Sequence, residues 1–167
     1  MSWARAVLAC AMLVPATVRA GTDKFRRIRE AEEALSAQLA QFVADISCGQ
    51  PMKAASLFLD DARIHEGGRE YVGYTQYASQ VLVPRWSLGV RSHVVASGAT
   101  IKADPWLGRA SARQSIIVIQ PAIRNRPPAR RKILQSWTFE ERGNVWLARR
   151  LDCQWLDDDN VRLDAKR

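Results

Sequence analysis

The residues best suited to proton transfer are His65 and Glu66, which stand side by side at the end of a predicted strand, Ala62–Glu66. Successive side chains of a strand point to opposite faces, so only one of the two is expected to face a pocket. If the strand register shifts by one residue, His65 takes the inward position instead of Glu66. A carboxylate or an imidazole beside an apolar wall can act as a general acid or base.

Metal and cofactor chemistry receive little support from the residue spacing. A second histidine, His93, lies on the next long predicted strand, and two histidines with a carboxylate can in principle bind a metal. No H-x-H, H-x₃-H or CxxC pattern occurs, so no metal is predicted. There is also no G-x-S-x-G, no P-loop and no G-x-G-x-x-G. Hydrolase triads are therefore weakly supported, and no cofactor is predicted.

A basic segment with no acidic residue runs from Arg124 to Lys132 and contains five cations. Such a segment can contact phosphates or an anionic envelope surface. It has no interleaved aromatic residues, so the stacking that single-stranded nucleic acids require is missing. We interpret it as a solvated hairpin loop and predict no nucleic-acid partner.

A long amphipathic helix is predicted over Asp23–Cys48, capped by Thr22 or Asp23. Apolar residues recur there in steps of three and four and form one stripe: Phe25, Ile28, Leu35, Leu39, Phe42, Val43 and Ile46. Such a stripe must lie on another apolar surface, most simply the face of a sheet.

Shorter elements follow this helix. A second helix is predicted over Met52–Leu59, and after the strand Ala62–Glu66 a returning strand is expected over Arg69–Val72. A third helix is predicted from Tyr74 to about Val83, ended by Pro84.

The second half of the chain predicts strands. Their ranges are Arg85–Ala103, Ala110–Ile123, Lys132–Arg142 and Asn144–Trp155, the last two joined by a turn at Gly143-Asn144. In the final hairpin, one parity contains Ile133, Gln135, Trp137 and Phe139 on the first strand and Val145, Leu147, Arg149, Leu151 and Cys153 on the second. Helices early and strands late predict an α+β fold.

The chain of 167 residues suits one domain. Residues 1–20 predict a secretory signal peptide, with Arg5 before an apolar run and small residues before Gly21. The remainder divides into a domain over residues 21–156 and a polar tail over residues 157–167. Export to the periplasm or the medium is therefore expected, without a stable membrane anchor after cleavage. Of the remaining cysteines, Cys48 and Cys153 either form a disulfide or stay separate.

A family resemblance rests on the stretch Gln41–Val72. Its features are a helix stop at Gly49-Gln50-Pro51, a short helix with Leu57-Phe58-Leu59, a turn at Asp60-Asp61-Ala62, the strand Arg63–Glu66 and a stop at Gly67-Gly68. This pattern resembles the helix–helix–strand opening of the NTF2-like superfamily, which includes SnoaL-like and ketosteroid-isomerase-like proteins. The resemblance covers about Phe25–Trp155. It implies a cone in which a long N-terminal helix packs on a strongly curved antiparallel sheet, and it implies a homodimer.

Catalytic roles follow only from that resemblance. In the isomerases of the superfamily, a carboxylate a few residues after the Asp-Asp-Ala turn is the general base, and Glu66 stands at that position. The positions matching the isomerases' two oxyanion donors are Phe42 and Gln135. Phe42 donates no hydrogen bond, so ketosteroid-type isomerisation is not predicted.

The sequence therefore predicts an exported protein that binds a small, mostly apolar ligand in a conical pocket. The predicted ligand-binding residues are Phe42, Phe58, Trp86, Gln135 and Trp137, because aromatic walls with few polar groups suit such ligands. Core packing is the alternative for these aromatic residues. Two other functions stay open: an isomerase- or dehydratase-like enzyme that uses Glu66 or His65, and a non-catalytic dimeric interaction module.

Overall fold

The computed structural model describes residues 16–94, 98–122 and 127–156, with residues 16–22, 93 and 94 described by their backbone only. Most of the predicted signal peptide and the predicted tail lie outside these residues. The elements are α1 (Ala16–Ser47), a 3₁₀ helix (Pro51–Leu57), β1 (Phe58–Glu66), β2 (Arg69–Val72), α2 (Tyr74–Tyr77), a π-helical turn (Ala78–Leu82), α3 (Val83–Ser87), β3 (Arg91–Val94), β4 (Thr100–Asp104), β5 (Arg109–Gln120), β6 (Ala129–Arg142) and β7 (Val145–Leu156). No helix in the described ranges is long and apolar enough to cross a membrane.

The seven strands form one curved sheet in the order β2-β1-β7-β6-β5-β3, and β4 also pairs with β5. The predicted α+β class, with a long helix on a curved sheet, is confirmed. The sheet is mixed and not wholly antiparallel, because β1 runs parallel to β7 while the other pairs are antiparallel. This parallel pair joins the first strand to the last and places the end of β1 beside Cys153.

The apolar stripe of α1 packs on the sheet over its second half. Leu35, Leu39, Phe42, Val43 and Ile46 are buried, as predicted. Phe25 is 71% exposed, so the stripe does not begin there. The helix itself begins at Ala16, before the predicted caps Thr22 and Asp23.

β1 begins earlier than predicted. Phe58 and Leu59 belong to the strand, and the predicted turn at residues 60–62 is also extended. The cause is pairing with the last strand: Phe58 lies opposite Ala148, and its side chain is buried. The pairing with β7 is irregular between Phe58 and Arg63, where Asp60 and Asp61 are exposed. Tertiary pairing therefore outweighs the local helical preference.

The helical segment after Gly73 continues past Pro84, so the prediction that this proline ends the helix is wrong. Proline lacks an N–H and clashes with the carbonyl one turn earlier in a regular helix. Here a π-helical turn precedes it, and Pro84 occupies the first turn of α3, where no N–H is needed. Residues 85–87 are consequently helical and not part of a strand.

A β-bulge changes the inward face of β7. Trp146 and Ala148 are buried, whereas Val145 is 50% exposed. The pairing shifts from Thr138 opposite Arg150 to Phe139 opposite Ala148, which leaves Arg149 as the extra residue. The predicted parity is therefore correct for Leu151 and Cys153 and wrong for the residues before the bulge. The parity predicted for β6 is confirmed, since Ile133, Gln135, Trp137 and Phe139 are all buried.

Candidate functional site

Four aromatic side chains fill the middle of the cone and are called the aromatic core below: Phe42, Phe58, Tyr74 and Trp137. Phe42 lies edge-on to Trp137 with ring centroids 4.8 Å apart, and Phe58 stacks on Tyr74 at 4.3 Å. The Tyr74 hydroxyl donates to the carbonyl of Pro51 at 2.8 Å. Three of the predicted ligand-binding residues thus pack against one another.

A small cavity remains next to this core, where the end of α1, the helical segment 74–87 and the inner face of β5–β7 meet. Its volume is about 20 Å³, which is room for roughly one water molecule. Aliphatic and polar side chains both line it: Ile46, Tyr77, Leu82, Arg85, Trp86, Val90, Ser92, Ile116, Val118, Ile133, Gln135 and Cys153. Of the five predicted ligand-binding residues, Trp86 and Gln135 lie here.

Glu66 is buried at the end of β1, with 3% of its side chain exposed. Its Oε2 accepts a hydrogen bond from the Tyr77 hydroxyl at 2.6 Å. Its Oε1 accepts from Trp155 Nε1 at 3.0 Å and lies 2.6 Å from Arg85 Nη1. Glu66 does not line the cavity, whereas Tyr77 and Arg85 do. Its carboxylate therefore holds two lining residues, Tyr77 and Arg85, in place without contacting the cavity itself.

His65 lies on the opposite face of β1, as strand alternation predicts. Its Nε2 is 3.0 Å from a Glu70 oxygen, and its Nδ1 is 2.9 Å from an Asp152 oxygen. The register pairs His65 with Asp152 and Glu66 with Cys153, so the one-residue shift that would turn His65 inward does not occur. His65 belongs to the outer surface of the sheet. His93 is described by its backbone alone, on β3.

A chain of buried polar groups continues from Tyr77 along the wall of the cavity. Cys153 Sγ is 3.8 Å from Gln135 Nε2, and Gln135 Oε1 accepts a hydrogen bond from Gln114 at 2.8 Å. Burial and the nearby Glu66 charge raise the pKa of the Cys153 thiol to about 12. Burial, followed by Cys153 and Glu66, also raises the pKa of Tyr77. The thiol is therefore protonated at neutral pH and a poor nucleophile.

Cys48 and Cys153 are not bridged. Cys48 is exposed just after α1, whereas Cys153 is buried in β7. Of the two alternatives left open by the sequence, the structure has the separate cysteines.

Trp86 closes the side of the cavity next to Gly49. Gly49 has φ 75°, and a Cβ there would lie 2.0 Å from the Trp86 ring, so only glycine fits. The Arg91 guanidinium lies 4.3 Å from the Trp86 ring centroid. The indole Nε1 is buried and has no hydrogen-bond partner among the described residues. A buried donor without a partner is costly, and Trp137 Nε1 in the aromatic core is a second such donor among the described residues.

Two arginine side chains also lie against the Trp155 ring at the neighbouring edge of the cavity. The guanidinium carbons of Arg85 and Arg131 lie 5.2 and 5.9 Å from the Trp155 ring centroid. Such cation–π contacts hold the arginine side chains beside the aromatic rings. The edge of the cavity is therefore positively charged, with Glu66 as the buried counter-charge.

Tyr77 and Arg85 line the cavity, although neither was predicted from the sequence as a site residue. The sequence places Arg85 on a strand because the helix is expected to end at Pro84, and Tyr77 is not among the predicted ligand-binding residues. A signal did exist for Cys153, which strand parity placed on the inward face. The contact between β1 and β7 that connects these residues to Glu66 is long-range and carries no local pattern.

Comparison with known proteins identifies the fold of this chain. No protein-family model matches the sequence, and no curated protein matches it. Among solved structures, an NTF2-like protein with a cystatin-like fold from Novosphingobium aromaticivorans matches with a TM-score of 0.65 at 17% identity, over 90% of this chain and 96% of that one.

Two solved structures with enzyme names are also similar. A protein provisionally described as a scytalone dehydratase from N. aromaticivorans matches with a TM-score of 0.65 at 16% identity, over 81% of this chain and 89% of that one. The hexachlorocyclohexane dehydrochlorinase LinA-type3 from Novosphingobium barchaimii LL02 matches with a TM-score of 0.65 at 15% identity, over 77% of this chain and 88% of that one. These identities are too low to transfer an activity. The long helix, the curved sheet and these neighbours together show that the chain has the NTF2-like, cystatin-like fold.

Proposed function

We propose that this protein binds a small, mostly apolar ligand in the cavity beside Trp86. The observation that carries the proposal is the composition of the cavity wall. Six of its twelve side chains are aliphatic, and each of the other six carries a polar atom; the aliphatic residues are Ile46, Leu82, Val90, Ile116, Val118 and Ile133. An apolar wall with a few convergent polar groups is typical of ligand sites.

Trp86 must move for such a ligand to enter, because about 20 Å³ holds only one water molecule. The indole is suited to this movement. Its N–H has no partner among the described residues, so outward rotation gives that donor access to water. The π-helical turn Ala78–Leu82 just before α3 departs from regular helical hydrogen bonding, and such turns occur often at functional sites. Outward rotation of the indole would add its own volume to the cavity.

The polar groups favour binding over acid–base catalysis. No carboxylate or imidazole lines the cavity within the described residues. Both oxygens of Glu66 already accept hydrogen bonds from the protein, and His65 lies on the outer face. The raised pKa of Cys153 disfavours a thiolate nucleophile. Dehydratase or dehydrochlorinase chemistry, as named for the similar structures, would need a base that this wall does not offer.

Export and homodimer formation remain part of the proposal. The apolar N-terminal run and the small residues before Gly21 support export, and the family resemblance supports a dimer. Native mass spectrometry of protein secreted by an expressing cell measures the mass of the chain and of its complexes. These masses give the cleavage site, the number of subunits and any co-purified ligand. We expect cleavage after Ala20, a dimer and a bound small molecule.

Ligand entry is tested with neutral probes, benzyl alcohol and hexan-1-ol. A probe present at 100 times its dissociation constant stabilises the folded state by about 2.7 kcal/mol. For a chain of this length, that raises Tm by roughly 5–10 °C. A change in tryptophan emission should accompany binding and disappear in Trp86→Phe. The matched control is Trp106→Phe, in the exposed turn between β4 and β5, which should keep the change.

The variant Trp86→Ala removes the closing side chain and should bind both alcohols more tightly than the wild type. The proposal is wrong if no probe, neutral or charged, raises Tm in either the wild type or Trp86→Ala. It is also wrong if Trp106→Phe and Trp86→Phe alter the emission change equally.

A further inference from the structure

The charges around the cavity bear on the chemical class of the ligand, an inference that rests on the proposed function. Arg85 is the only charged residue among the described residues lining the cavity. The recorded contact with Glu66 uses Nη1 alone. A guanidinium has five N–H donors in a fixed planar fork, so Glu66 leaves the N–H groups of Nε and Nη2 unused.

The local charge balance is positive. Arg85 and Glu66 form a pair that is neutral as a unit. Arg91, on the Trp86 ring, and Arg131, on the Trp155 ring, add two further positive charges at the same edge. Apart from Glu66, no acidic residue contacts these arginines within the described part of the chain. An anion at this edge would be attracted, and a cation would be repelled.

Two residues that line the cavity have donors to spare. The Trp86 indole N–H has no partner among the described residues, and the Arg85 guanidinium has N–H groups that Glu66 does not use. Two nearby acceptors already have donors, since Glu66 accepts from three side chains and Gln135 Oε1 accepts from Gln114. A ligand group that accepts hydrogen bonds therefore pairs with the donors that remain.

We propose that the ligand is a small monocarboxylate whose carboxylate binds Arg85 and whose apolar part lies against the aliphatic wall. A carboxylate matches the guanidinium fork with two parallel hydrogen bonds. Arg85 is 32% exposed, so the carboxylate sits at the edge of the cavity and keeps part of its hydration. The space released by the Trp86 indole limits the apolar part to about one ring or a short alkyl chain. Benzoate and hexanoate represent this class.

The test compares acids with alcohols of the same shape: benzoate with benzyl alcohol, and hexanoate with hexan-1-ol. Isothermal titration calorimetry of the full chain at neutral pH should give at least tenfold tighter binding for each acid. The difference should shrink as salt is added, because the site is partly exposed. Equal affinity for acid and alcohol would overturn the carboxylate assignment and leave the proposed function intact.

Variants of Arg85 locate the effect. Arg85→Met keeps the aliphatic stem and removes the charge, and it should abolish the preference for acids while retaining the binding of alcohols. Arg85→Lys keeps the charge but loses the planar fork, so it should weaken acid binding several-fold. If Arg85→Met fails to fold because Glu66 is left unpaired, the double variant Arg85→Met/Glu66→Gln removes both charges and supports the same measurement.

The matched control is Arg113→Met. Arg113 is exposed on β5 and makes no ion pair within the described residues. It should bind acids as the wild type does. A loss of acid binding in Arg113→Met equal to that in Arg85→Met would mean that the overall positive charge, and not a site at Arg85, attracts the acid, and the inference would fall.

Discussion

The aromatic core and the cavity lie next to each other inside the same sheet, yet only the aromatic core is fully packed. Phe42 touches three aromatic rings, and the Tyr74 hydroxyl has a backbone acceptor. Each region contains a buried indole N–H without a partner among the described residues, Trp137 Nε1 in the aromatic core and Trp86 Nε1 at the cavity. Around the cavity, the buried Glu66 also pairs with the half-buried Arg85, and space for one water is left. Contacts between aromatic rings dominate the first region. The second is held by specific polar contacts, which is why function is sought there.

The largest effect is expected in the aromatic core. Phe42 is 1% exposed, and Phe42→Ala leaves a cavity among rings that cannot close around it. We expect the free energy of unfolding to fall by about 3–5 kcal/mol, measured by denaturant titration. Phe25→Ala is the matched control on the same helix, with the side chain 71% exposed, and should change it by less than about 0.5 kcal/mol. Similar values for the two variants would mean that the aromatic core is not the packed region.

The middle of the cone was predictable from the sequence, whereas its end was not. Steps of three and four residues placed Leu35 and Phe42 on one helical face, and alternation placed Gln135 and Trp137 on one face of β6. These are local patterns that follow from helix and strand geometry. The sequence pattern correctly placed these aromatic residues in the interior. The same pattern cannot distinguish packing against another ring from contact with a ligand.

The cavity depends on contacts between distant parts of the chain. Arg85 reaches Glu66 only because a π-helical turn carries the helix past Pro84. Trp155 reaches Glu66 across 89 residues because β7 pairs with β1 in parallel. The bulge at Arg149 sets which side chains of β7 face inward. None of these features produces a periodic pattern of residues, so the polar network could not be predicted from the sequence.

The charge of Glu66 is expected to contribute to stability through the polar contacts beside the cavity. Glu66→Gln keeps the shape but removes the charge that pairs with Arg85 and accepts from Tyr77 and Trp155. We expect a loss of about 2–3 kcal/mol in the free energy of unfolding, because hydrogen bonds to a buried charge are lost and an arginine is left unpaired. Denaturant titration measures it, with Glu140→Gln on the surface as the control.

The double variant Glu66→Gln/Arg85→Met tests whether the two residues act as a pair. If they do, the double variant should be more stable than the sum of the single losses by about 1 kcal/mol or more. Additive losses would contradict the view that Glu66 positions Arg85 at the cavity, and would also weaken the case for a carboxylate site there.

The smallest effect is confined to alkaline pH and distinguishes the two cysteines. Cys153 keeps its proton in the folded protein to a pKa of about 12, against an ordinary value of 9.0. The folded state therefore binds more protons above pH 9, and the stability that this group contributes is complete below pH 9 and is lost as pH rises toward 12. By pH 10 the wild type should have lost about 1 kcal/mol through this thiol.

Cys153→Ala should lack this loss, while Cys48→Ala, at an exposed position, should keep it. Unfolding titrations at pH 8 and pH 10 compare the three proteins. An equal alkaline loss in Cys153→Ala and in the wild type would mean that the thiol is open to water, and the cavity beside it would then be part of the solvent and not a site closed by Trp86.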